Sequence, residues 1–179
     1  MIELIDNGKI PISFREEEKP GHPFRVLKEE NFAIENLIRS TILPKVKCYA
    51  ENKVGAIRVS LIKDVSLLLD INKHYIKKEN LLFPYMEEYG MSVTPKVMLV
   101  ADNEILNDIK ELKSSLVAGY KISDNLEIEA NKISTKISDM ISKEEEIMIP
   151  NLIDVLSEDE WHKIAKDSEL IGNSIFFNS

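Results

Sequence analysis

Five polar side chains stand at positions where helical spacing asks for apolar ones: Asn31, His74, Lys78, Asp102 and Glu144. Burying a polar or charged group without partners costs several kcal/mol. The five must therefore meet one another, meet a ligand, or lie at a water-filled end. Two carboxylates, an imidazole, an ammonium and a carboxamide can build a closed ion-pair network or line a binding site. Other candidates carry less. Glu79 lies beside the same stripe and would reach a metal only if its helix rotated. Glu145 and Glu146 next to Glu144 read as a solvated charge run, and His162 after Trp161 reads as a surface residue. Cys48 is the only cysteine and has no histidine nearby in sequence, so neither a catalytic thiol nor a multi-cysteine metal site is expected. No Ser/His/Asp set, phosphate loop or dinucleotide fingerprint occurs, and the chain is not read as an enzyme.

The elements that position these residues read as helices in series. Residues 1–20 are irregular, with an Asp6-Asn7-Gly8 turn signal, and are expected to form an arm or short hairpin ahead of a helical region over 21–179. A first helix is expected from about Pro23 to Leu43, stopping before Pro44. A second should run from Val54 to Tyr89, with a kink at Pro84 and a glycine cap at Gly90. A third should run from Thr94 to Gly119, and a fourth from Ser123 to Ile149, bent or ended by Pro150. A fifth is signalled by Ser157, by Glu160 three residues on, and by Gly172.

Apolar stripes alternate steps of four and three. They are Leu27, Asn31, Ile34, Ile38; Leu67, Ile71, His74, Lys78, Leu81, Tyr85; Met98, Asp102, Ile105, Ile109, Leu112, Leu116; and Ile133, Ile137, Met140, Glu144, Ile147. Such seams predict an all-α, up-down-up-down four-helix bundle, with the fifth helix packed outside. The segment Lys77–Pro84 also repeats as Lys143–Pro150, 66 residues on, placing Lys78 opposite Glu144 and His74 opposite Met140. Two similar hairpins suggest a pseudo-two-fold axis and a ligand site on it.

Composition bounds the function. The chain has 179 residues, 44% of them hydrophobic and 30% charged, the profile of an ordinary globular protein of about one domain. A net charge of −8 disfavours nucleic-acid binding, since the basic group Lys73, Lys77, Lys78 is offset by Glu79, Glu87 and Glu88. No apolar run is long enough to span a bilayer. One cysteine and no leader-like start suggest a cytoplasmic protein.

The stretch His74-Tyr-Ile-Lys-Lys-Glu-Asn-Leu-Leu-Phe-Pro84, with its second copy at 140–150, resembles the histidine–carboxylate segments of hemerythrin-like (HHE cation-binding) bundles. Pro20-Gly-His-Pro23, the segment 70–100 and Glu158-Asp-Glu-Trp161 resemble one subgroup, found with a domain of unknown function and with sensory domains. The resemblance implies a pair of irons held by five histidines and two carboxylates. The matching positions here are Asn31, His74, Lys78, Met98, Asp102, Met140 and Glu144, of which only His74 and Glu144 keep their type, with Asp102 as a possible oxygen donor. An ordinary di-iron carrier is therefore not expected.

Two readings follow. In one, iron is held as haem, whose axial ligands are His or Met, drawn from His74, His22, Met98 and Met140. Oxygen, nitric oxide or redox state would then be sensed. In the other no cofactor is needed. Lys78 pairs with Glu144 and Asp102, Asn31 and His74 complete the hydrogen bonds, and the bundle is a signalling or interaction module with a protein partner.

Overall fold

The computed structural model describes residues 21–119 and 125–172. The expectation for residues 1–20 lies outside these residues. Helix α1 (Pro23–Asn36) opens with proline in its first turn, where a missing N–H costs nothing. It continues through a π turn (Leu37–Ile42) into α2 (Leu43–Asn52). Helix α3 (Gly55–Leu68) and α4 (Ile71–Lys77) are separated by a short turn. A second π turn (Lys78–Leu82) joins α4 to α5 (Phe83–Glu88). Helix α6 (Val93–Ala118) is uninterrupted and ends at Gly119 in the left-handed region, φ 72°. Helix α7 (Leu126–Lys143) passes through a third π turn (Glu144–Met148) into α8 (Ile149–Val155). Helix α9 (Glu158–Ile171) begins with the expected capping box between Ser157 and Glu160.

Four rods result: α1–α2, α3–α5, α6 and α7–α8. Each packs against its two neighbours in a closed square, and α9 lies outside on α1, α4 and the second π turn. The molecule is thus an all-α bundle with an additional C-terminal helix. Among the described residues no helix is long and apolar enough to cross a membrane.

Two expected helix ends are corrected. The first helix does not stop before Pro44, and the fourth, expected to reach about Ile149 and be bent or ended by Pro150, runs on to Val155. A proline would clash with the carbonyl four residues back and leave it unbonded. In each case that carbonyl belongs to a π turn, Ser40 before Pro44, Asn80 before Pro84 and Glu146 before Pro150. The residue just before each proline instead donates five residues back. Leu43 donates to Ile38, Phe83 to Lys78 and Ile149 to Glu144. The wider turn lets the helix run on.

The wider turn also moves the seam by one residue. Leu82 and Met86 are buried, where Leu81 and Tyr85 were expected. Met148 is buried, where Ile147 is 45% exposed. Upstream of the turn between α3 and α4, Leu68 is buried in place of Leu67, because the break at Leu69–Asp70 resets the helical register. In α6, which has no such turn, all six seam residues from Met98 to Leu116 are buried as read.

Candidate functional site: a buried ion-pair network

The seam polar residues come together where the π turns begin. Lys78 is the first residue of the second π turn and Glu144 the first of the third, so the 66-residue repeat places them as counterparts. Lys78 Nζ donates to Glu144 Oε1 at 2.6 Å and to Asp102 Oδ1 at 2.8 Å. All three side chains are fully buried. The ammonium also lies 4.4 Å from the ring centroid of Tyr75, a cation–π contact. The other oxygen of Glu144 meets His74 Nε2 at 3.2 Å. His74 Nδ1 meets Glu30 Oε2 at 2.8 Å, and Lys77 Nζ donates to Glu30 Oε1 at 2.8 Å. The chain of contacts therefore runs Lys77–Glu30–His74–Glu144–Lys78–Asp102, across four rods.

Its electrostatics are nearly balanced. Burial by itself would push the His74 proton off, but Glu144 and Glu30, one on each nitrogen, raise its pKa to about 9. Burial opposes ionisation of Glu144, yet Lys78 and His74 beside it hold its pKa down at about 2. Glu30 is likewise lowered against burial, by His74 and Lys77. Asp102 goes the other way. Burial raises its pKa to about 6, with Lys78 pulling against it and Glu144 and Glu79 adding repulsion. With Asp102 ionised, three carboxylates face two ammonium groups and one imidazolium. Burial, and then the nearby carboxylates, hold the Tyr75 phenol well above its usual range, so it stays neutral.

The other candidates lie elsewhere in the packing. Asn31 is buried, but its amide donates to Glu145 Oε1 at 3.3 Å, not to the network. His22 caps α1, its Nδ1 accepting from the Phe24 N–H at 3.2 Å, and its ring lies 4.8 Å from Trp161. Met98 and Met140 are fully buried among core residues. His162 and Cys48 are exposed. Two members were missed by the seam reading, Glu30 and Lys77. Each adjoins a recognised residue, and each lies three residues from an inward one, Leu27 or His74. The broader i, i+3, i+4 face of a core helix includes both.

A family model for the hemerythrin HHE cation-binding domain matches residues 22–152. The chain belongs to that family. The match takes in the four-rod bundle up to α8 and leaves α9 outside it. A comparison with curated proteins finds no match.

In this hemerythrin-family bundle all seven positions that the resemblance aligns with iron ligands are buried. Their chemistry does not fit a metal. His74 has a carboxylate on each ring nitrogen, so neither nitrogen is open for ligation. Lys78 Nζ, within 2.8 Å of both, lies between the two carboxylates that would otherwise take a cation. Met98, Met140 and Asn31 replace imidazoles with a thioether or a carboxamide. Among the described residues no group of three or more His, Cys, Asp or Glu is arranged to hold a metal ion. At this site Asp102 Oδ2, Asn31 Oδ1 and the Tyr75 hydroxyl are buried without a hydrogen-bond partner among the described residues.

Proposed function

We propose that this chain is a hemerythrin-family bundle whose internal cation is the Lys78 ammonium, and that it serves as an interaction or signalling module rather than as a carrier of oxygen on iron. One observation carries the reading: Lys78 Nζ sits 2.6 and 2.8 Å from two buried carboxylates on facing rods. A tethered monovalent cation satisfies those carboxylates without any cofactor. A buried network of this kind contributes less to stability than to fixing which rods meet in which register.

Iron held as haem asks more of the same residues. His74 would have to release Glu144 or Glu30, and His22 would have to leave the cap of α1. Met98 and Met140 would have to open a packed core. Sensing of oxygen or nitric oxide depends on that rearrangement.

The test is the absorption spectrum of the purified chain, oxidised and then reduced, after expression with iron and a haem precursor supplied, together with its iron content. The expected result is a spectrum without visible bands and iron well below one atom per chain. A Soret band that shifts on reduction, or stoichiometric iron, would overturn the proposal.

A further inference from the structure

Helix α9 is seated shallowly. Of its 14 residues only Ile164 is buried, whereas α6 buries seven and α7 five. Trp161 packs half-buried against the core, and Leu170 is 86% exposed. Two contacts fasten its first turn. The Trp161 ring lies 4.8 Å from the His22 ring, and Glu160 accepts from the exposed Tyr89 hydroxyl at 3.1 Å. The helix also supplies its own caps, through Ser157 with Glu160 at one end and Gly172 bonded back to Ser168 at the other. Leu156 and Ser157, between α8 and α9, are both extended and form a two-residue joint.

What α9 covers is specific. Beneath it lies a narrow crevice of about 30 Å³, room for a water or two. Ile164 and Ser168 of α9 line it together with Leu27 and Glu30 of α1 and Lys77 and Leu82 of the facing rod. Glu30 and Lys77 are the end of the buried network, and the Lys77 side chain is only 7% exposed. Lys78 borders the same crevice, but its ammonium is turned to Glu144 and Asp102, contacts in which α9 has no part.

We infer that α9 is a lid. It undocks as a unit about the Leu156–Ser157 joint while the four rods stay folded, and so admits water to the Lys77–Glu30 end of the network. A 14-residue helix is marginal alone in water, so undocking and fraying of α9 go together. The open state bares Leu27 and Leu82 beside the Lys77–Glu30 pair, an apolar surface with charge at its base. The lid stands apart from the signalling role proposed above, since it concerns only what α9 rests on.

Two readouts on the full chain test it. Trp161 is the only tryptophan, so its fluorescence reports α9, while far-UV circular dichroism is dominated by the bundle. In urea the fluorescence transition should come first. Acylation of lysines, read by mass spectrometry without denaturant, follows access to the network. Ile164→Asp should speed modification of Lys77 at least about tenfold and leave Lys78 at its wild-type rate. Tyr89→Phe, at an exposed position, should move both readouts the same way by less. Coincident urea transitions would overturn the inference. So would a Lys77 rate that Ile164→Asp leaves unchanged, or Lys77 and Lys78 accelerated together, since the bundle itself would then have opened.

Discussion

His74 is held between two carboxylates, and its proton is worth more to the folded state than to the unfolded one. With a folded pKa near 9 against an ordinary 6.5, its contribution is complete below pH 6.5 and lost as pH rises through 9. Glu144 acts in the opposite direction. Held near 2 against an ordinary 4.5, it stabilises above pH 4.5 and loses that contribution as pH falls toward 2. Asp102, raised to about 6 from 3.8, costs stability as pH rises through that range. The three together place the optimum in the mildly acidic range. Urea unfolding should show stability falling by roughly 2–3 kcal/mol between pH 6.5 and 9. His74→Gln should flatten that slope. A wild-type curve that is level across the same interval would mean that His74 is neutral in the folded chain. The network's members show how far single residues were legible. His74, Lys78, Asp102 and Glu144 stood out because a polar type interrupted an apolar stripe. Glu30 and Lys77 did not, because a charged residue one position off a seam looks like any surface charge until the neighbouring rod is known.

At the scale of elements, the π turns decide which residues face inward. Each widens the helix by one residue just before a proline, and each shifts the downstream seam by one position. Met86 and Met148 are fully buried, whereas their neighbours Tyr85 and Ile147 are not. Met86→Ala and Met148→Ala should each cost about 2–5 kcal/mol, the range for emptying a packed core site. Ile147→Ala should cost under about 1 kcal/mol. The reverse order in denaturant midpoints would return the seam to the register that uninterrupted periodicity predicts. That periodicity placed α6 residue by residue and failed downstream of Lys78 and Glu144, where the π turns begin. A strict 3.6-residue repeat has no means of showing an inserted residue. The prolines were visible as helix breakers, but a proline preceded by a π turn does not break its helix. The capping box at Ser157 and Glu160 was legible for the opposite reason, since its signal lies entirely within four residues.

At the scale of the molecule, the bundle has the family's architecture, with the Lys78 side chain between two buried carboxylates at its centre. The all-α class, the four rods and the extra C-terminal helix were all legible from seam spacing and from the resemblance around His74–Pro84. The pairing of Lys78 with Glu144 was foreshadowed by the 66-residue repeat, because counterparts under a pseudo-two-fold axis face each other across it. If the ammonium is the cation that completes the fold, stability must depend on Lys78 and not on added metal. The most direct measurement is the unfolding free energy of wild type and Lys78→Met, each with and without a strong chelator. Removing the lysine strands two buried carboxylates. The expected result is a loss of roughly 3–5 kcal/mol in the variant, with no chelator effect on the wild type. A variant as stable as the wild type, or a wild type that the chelator destabilises, would contradict the account.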